Sequence, residues 1–421
     1  MAEQPTDFAA YLGIDWADRK HDFCLRVSGE NSVERGVVEH RPAALNTWAD
    51  ALRERFGGRP IAVAVEMSRG PIVSALLEHA FFVIFPVNPS TLARYRRAFA
   101  PSGAKDDPTD AQIAVDLLLR HRDKLTPLRQ DSANMRILQR LVERRRSFVH
   151  DRVRITNRLV AALKEYFPQP VEWFRDKETK VFAAFLERWP TLPSVQRATD
   201  KTLISFLHEH HVVRSSAIDR RIAAIRSEQV LTTDPAVITP AKLTVELLLP
   251  QLRATSAAIE RFDEEIQALC AQLADYELFG TLPGAGPVFS ARLLAAFGEI
   301  RERFTDAGAL QRYAGVAPVT ERSGQKNWVH WRYASSTFVR QTFVEWAASS
   351  IAKSFWAEQF YRLHRSKGAS RNATLRALAF KWIRILFRCW VDRRPYDESR
   401  YLSALQKRHA PLLQFAAKPA D

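Results

Sequence analysis

Between residues 9 and 87 the hydrophobic pattern switches repeatedly between a period of two and a period near 3.6. AAYLGIDWA (9–17) is apolar up to an aspartate, HDFCLRV (21–27) alternates, and VERGVVEH (33–40) reads as a third strand. RPAALNTWADALRERFG then reads as a helix ending at Gly57 and Gly58. PIAVAVEMS is a β-branched run suited to a buried strand, followed by the helix PIVSALLEHA and the strand FFVIFPV. This order of three strands, helix, strand, helix, strand predicts an α/β domain over 1–125, which closes with the helical pattern TDAQIAVDLLLRH after Pro108.

The texture then changes. NMRILQRLVERRRSFVHDRVRITNRLVAALKEYF keeps an apolar stripe and carries Arg144, Arg145 and Arg146, while KLTVELLLPQLRATSAAIERFDEEIQALCAQL (242–273) supplies a second long heptad-like pattern. The two are expected to pair as an antiparallel arm within a helical linker region, 126–275, in which 168–240 is helical without a recognisable motif. A mainly helical segment, 276–421, follows. The fold class expected is therefore α/β plus all-α.

Charge narrows the partner. Across 421 residues the formal net charge is +15 and the pI about 10.0, a surplus that ordinarily faces phosphate. Arg144, Arg145 and Arg146 are the leading candidates for backbone contacts, with ion pairs on a solvated helix face as the competing explanation. The three cysteines, Cys24, Cys270 and Cys389, have no metal-binding spacing and fit core positions in a reducing compartment. No leader-like segment opens the sequence and no run approaches a membrane span, so a cytoplasmic, membrane-free protein is expected.

Four carboxylates stand at element ends. Asp15 ends the first strand and Glu66 the buried strand PIAVAVE, where an acid is costly unless it is paired, hydrogen-bonded or metal-bound. Asp107 and Asp110 flank Pro108 and Thr109 in PSGAKDDPTDA. That window alone reads as a helix cap, with proline at the first helical position. Spaced by three, the same two acids share a helical face, and four hard oxygen donors suit Mg²⁺ or Mn²⁺. Further on, LPGAGP places Gly284 and Gly286 in a hairpin between helical patterns, a habit of phosphate-binding helix-hairpin-helix elements as well as of plain tight turns. QKNWVHWRY mixes Lys326, Trp328, Trp331, Arg332 and Tyr333, which suits nucleic acid, although core packing of the tryptophans is the stronger expectation.

Taken together, GIDWADRKHDFCL, AVEMSRG, AKDDPTDAQIA, TLPGAGPVFSARLLAAFGEI and LQRYAGVAPVTERSGQK resemble the DEDD transposases of insertion-sequence family 110 over nearly the whole chain. The resemblance implies an N-terminal RuvC-like (ribonuclease-H-like) domain whose acids fall on Asp15, Glu66, Asp107 and Asp110. The Lys-x-Asp-x-x-Asp-Ala spacing selects Asp107 over Asp106. It also implies a C-terminal domain with a helix-hairpin-helix and a nucleophilic serine, here Ser323 beside Gly324, after Ala314, Gly315 and Pro318. No conventional base accompanies that serine, so the resemblance places it against a phosphate held at the acidic site, in another subunit of a dimer or tetramer. DNA and a structured bridge RNA are the implied partners, in a prokaryotic cytoplasm. The family's usual Lys/Arg-Gly-Asn turn is replaced by WRYASSTFVRQ, which bears on Ser335 and Ser336 more than on Ser323. The implied activity is metal-assisted DNA cleavage and rejoining through a serine-DNA link. A RuvC-like structure-selective nuclease and a non-catalytic nucleic-acid-binding protein are the alternatives.

Overall fold

The computed structural model describes residues 7–66, 68–99, 107–324, 326–330, 332, 335–409 and 412. The chain divides into two compact units, 1–130 and 131–421.

The first unit is built on a five-stranded sheet. Its elements are β1 (Ala10–Trp16), β2 (Lys20–Val27), β3 (Glu34–Glu39), α1 (Pro42–Arg55), β4 (Ile61–Val65), α2 (Pro71–Leu77), β5 (Phe82–Pro86), α3 (Pro89–Phe99) and α4 (Asp107–His121). The sheet order is β3-β2-β1-β4-β5, with β1, β2 and β3 antiparallel and β1, β4 and β5 parallel. Every residue of β4 is buried, because helices cover both faces of this central strand. Its large side chains, Ile61, Val63 and Val65, pack with Leu45 and Leu52 of α1 and Ile72 and Leu76 of α2. Its small ones, Ala62 and Ala64, pack with Ile113, Ala114 and Leu117 of α4. The alternation therefore sets a thick layer on one face and lets a helix approach closely on the other.

The second unit comprises α5 (Ala133–Tyr166), α6 (Gln169–Trp173), α7 (Lys180–Arg188), α8 (Leu192–Gln196), α9 (Asp200–Glu209), α10 (Ser215–Ser227), α11 (Pro235–Cys270), α12 (Tyr276–Gly280), α13 (Gly286–Phe297), α14 (Ala307–Tyr313), β6 (Val319–Ser323), β7 (Lys326–His330), α15 (Thr337–Ser350), α16 (Phe355–Ser366), α17 (Arg371–Asp392) and α18 (Glu398–Lys407). The two long helices, α5 and α11, form the expected antiparallel arm. Met135, Leu138 and Val142 at the start of α5 share a core with Ile266 and Cys270 at the end of α11. At the opposite end, Leu159 and Leu163 share a second core with Val245 and Leu249, closed over by α6 to α10. The first core continues through α13, Trp346 of α15, Trp356 of α16, and Trp382 and Trp390 of α17. Cys24 and Cys270 are buried and Cys389 half-buried, as their apolar contexts suggest. Among the described residues no helix is long and apolar enough to cross a membrane.

Candidate functional site

In the first unit the pleat and the register bring the acids to one face. Successive strand residues point to opposite sides of a sheet. Leu12 and Ile14 belong to the α1 side, so Gly13 and Asp15 belong to the other. β1 and β4 run in parallel register from Ala10 against Ile61 to Ile14 against Val65. The next step of that register sets Asp15 beside Glu66, at the bend where β4 ends, and in phase with Ala62 and Ala64. Both acids are half-buried. On this face α4 lies directly on the strand, because Gly13 has no side chain. A Cβ at Gly13 would overlap the Ala111 carbonyl oxygen and lie 2.9 Å from the Val115 amide nitrogen. Asp110 immediately precedes Ala111, so the missing Cβ seats that acid over β1.

Asp110 is 2% exposed. The Nε atom of Arg96, from α3, lies 2.6 Å from its Oδ1. The two groups are not aligned for a hydrogen bond, and neither atom has such a partner among the described residues. The side chain of Asp107 lies outside the described residues, although its backbone begins α4. No group of three or more metal-ligating side chains is gathered among the described residues.

A further acid belongs to this face. Asp22 stands directly opposite Asp15 in the β1–β2 pair, is 5% exposed, and has Lys20 Nζ 3.8 Å from its Oδ2. The sequence marks it only by the alternation of HDFCLRV, which puts Asp22 in phase with Cys24; in the structure Cys24 packs against Ala111 and Val115 of α4.

In the second unit Ser323 is exposed at the end of β6. It pairs with Lys326 across a two-residue turn in which Gly324 takes φ +57, a left-handed conformation that glycine adopts without strain. The register also pairs Glu321 with Trp328 and Val319 with His330, so Ser323, Lys326, Glu321, Trp328 and His330 share one face of the hairpin. His330 Nε2 contacts Glu321 Oε1 at 2.8 Å, and Trp328 Nε1 donates to Glu321 Oε2 at 3.1 Å. Trp328 is 45% exposed, so the expectation that it packs in the core is corrected. A free-standing two-stranded hairpin has no layer behind it in which to bury an indole. Trp331 and Tyr333 lie outside the described residues.

Arg332, half-buried, has an Nε without a hydrogen-bond partner among the described residues. Its carbonyl accepts from Ser335 Oγ at 3.4 Å. Ser335 is locked in packing: a Cβ on Gly315 would overlap its Oγ, which also accepts from Arg340 at 3.0 Å. Ser336 caps α15 by accepting from the Val339 amide. Both serines thus have local structural work.

The glycine turn before α13 is held from behind. Gly284 has φ +70, and a Cβ on it would lie 2.8 Å from the Ser349 carbonyl carbon. Trp346 Nε1 donates to the Pro283 carbonyl at 3.2 Å and Ser349 Oγ to the Gly284 carbonyl at 2.8 Å. These bonds engage carbonyls and leave the start of α13 facing outward, with Gly286 exposed at φ +54. No side chain caps that helix.

The three consecutive arginines of α5 part company. Arg144 is exposed. Arg145 grips Asp263 of α11 with two guanidinium nitrogens, Nη2 at 2.8 Å from Oδ2. Arg146 pairs with Glu345, which also receives the buried Arg292 at 2.8 Å. Two of the three thus tie helices together.

Comparison with known proteins agrees with this layout. Residues 12–168 match the DEDD transposases of IS110, and residues 276–362 match the transposase IS116/IS110/IS902 family. The protein assigned as the mini-circle transposase for IS117 of Streptomyces coelicolor is 32% identical over 415 residues, covering 97% of this chain and 98% of the relative. The IS116 insertion-element protein of Streptomyces clavuligerus is 27% identical, with 91% and 95% covered. The IS900 insertion-element protein of Mycobacterium paratuberculosis is 23% identical, with 94% and 98% covered. The chain belongs to the IS110/IS116 family of insertion-sequence transposases.

Proposed function

We propose that this transposase is a site-specific DNA recombinase that cleaves and rejoins strands through a serine-DNA link. The observation that carries the reading is Asp110: a buried carboxylate whose Oδ1 has no hydrogen bond among the described residues and only the unaligned Nε of Arg96 beside it, seated by Gly13 on the sheet face that bears Asp15 and Glu66. Such a group demands a cation. Hard oxygen donors fit Mg²⁺ or Mn²⁺, and Asp15, Glu66, Asp107 and Asp110 would hold it. When bound, the metal would supply positive charge to a phosphate oxygen.

The strand order supports a RuvC-like first domain, 1–125, and the turn between α12 and α13 supports a helix-hairpin-helix in 276–421, with 126–275 as the linker arm. The amides of Gly286 and Val288, on either side of Pro287, can receive a phosphate at the exposed start of α13. Lys326 neutralises backbone charge beside Ser323, and Arg332 adds a guanidinium close to the hairpin. In the chemical step Ser323 Oγ bonds to phosphorus as the bond to one deoxyribose oxygen breaks. The hydroxyl proton passes through solvent to that oxygen. Attack by a different strand end reverses the step, so no nucleotide is spent. The serine reaches an acidic site of another subunit in a dimer or tetramer, and a structured bridge RNA supplies the target sequence.

The decisive experiment incubates the full chain with Mg²⁺ and a labelled element-end DNA, then denatures it. An adduct is expected that disappears in Ser323→Ala and in Asp107→Asn but persists in Ser335→Ala. An adduct persisting in Ser323→Ala overturns the serine assignment, and cleavage without an adduct favours the nuclease.

A further inference from the structure

Of the three arginines in the second half of α3, Arg94 and Arg97 are exposed while Arg96 turns inward to α4. Its side chain is 15% exposed and meets an Asp110 side chain that is 2% exposed. A buried carboxylate on a face shared with Asp15 and Asp22 is costly unless a cation compensates it, and while no metal is bound that cation must come from the chain. Arginine is charged at every working pH. Yet this contact, at 2.6 Å between Nε and Oδ1, lacks hydrogen-bond alignment at both atoms. A structural arginine-carboxylate pair normally uses its fork, as Arg145 does on Asp263. Arg96 therefore supplies charge without the directional bonds that would make it hard to displace.

We infer that Arg96 is a stand-in cation: its guanidinium neutralises Asp110 while the acidic site is without metal, and metal and guanidinium exclude each other at that oxygen. The inference rests on the metal-site reading above. Its consequence is a coupling. Loading of the acids releases an arginine beside the place where a phosphate arrives, so the donors of Arg96 become available to DNA only when the site is charged. Arg96 is on this reading a positioning residue, acting through Asp110.

The test titrates Mn²⁺ into the full-length, DNA-free protein by calorimetry. Arg96→Met is expected to bind Mn²⁺ more tightly than wild type, roughly threefold or more, because a competing cation is gone. Its melting temperature should rise more on adding metal than that of wild type. A second measurement needs no variant: in wild-type protein, the Arg96 Nε–H resonance should shift when Mg²⁺ is added. Unchanged or weaker Mn²⁺ binding by Arg96→Met overturns the inference, as does an Arg96 resonance indifferent to Mg²⁺. Asp107→Asn separates the two levels. Wild-type binding that this substitution abolishes, with Arg96→Met unaltered, sinks the stand-in alone. Absence of binding by wild type sinks the metal site and the inference with it.

Discussion

Gly13 and Ala111 are in backbone contact: the strand carrying Asp15 and the helix carrying Asp110 meet where a single methyl group would overlap a carbonyl oxygen. Gly13→Ala must push α4 off β1 and carry Asp110 with it. Chemical denaturation should show a loss of about 3 kcal/mol, at the upper end for overpacking, and strand cleavage should vanish. Gly29→Ala, in a turn at φ +83 with open space around it, should cost only ~1 kcal/mol and leave cleavage intact.

The arginine run of α5 should split by partner. Arg144→Ala should reduce the salt dependence of DNA binding by roughly 0.9 in log–log slope, one phosphate contact, with little change in melting. Arg145→Ala should do the reverse, costing about 1–2 kcal/mol of stability through the abandoned Asp263 and leaving the slope alone. Filter binding over a salt series, beside thermal melts, checks both.

Exposed Trp328 on the Ser323 face of the hairpin offers an indole to an unpaired base. Trp328→Ala should weaken binding to single-stranded DNA by about 1–3 kcal/mol while the melting temperature holds, measured by fluorescence anisotropy.

His21 is fully buried, with Nε2 2.9 Å from His40 Nδ1. Burial, reinforced by His40, lowers its pKa to about 4, against about 6.5 unfolded. The unfolded chain therefore binds the extra proton first. Stability is full above pH 6.5 and falls as pH drops toward 4, by on the order of 3 kcal/mol. His21→Gln should flatten that part of the pH–stability curve, followed by urea melts at stepped pH.

Much of the first unit was legible because periodicity and burial agree there. The apolar run of β1 up to Asp15, the period of two in β2 and the unbroken apolar run of β4 announce these strands. The same parity, carried one residue further, puts Asp15 and Glu66 on a common face. Two things were hidden. α3, and with it Arg96, follows β5 in PSTLARYRRAF, where three arginines dilute the apolar stripe that would have marked a helix. The hairpin of β6 and β7 stands in a segment whose sequence predicts mainly helix, since VTERS and KNWVH bury almost nothing and leave no alternation to detect. The arginine run misled for a different reason. Asp263 and Glu345, the partners of Arg145 and Arg146, lie more than a hundred residues downstream, and local sequence carries no trace of an ion pair closed by the tertiary fold.

The arm formed by α5 and α11 has mechanical consequences. At 34 and 36 residues and about 1.5 Å per residue, each helix spans roughly 50 Å. The cores at its two ends share no members, and between Val142 and Ile155 neither core takes a residue from α5. That stretch is joined to α11 by Arg145 on Asp263 and by the rings of Phe148 and Phe262. It is a slender shaft between two solid ends. Such a shaft passes twist and bending along its length, yet does not force the ends to melt together, so the module of α6 to α10 can loosen or clamp while the core around Trp346 and Trp382 stays intact.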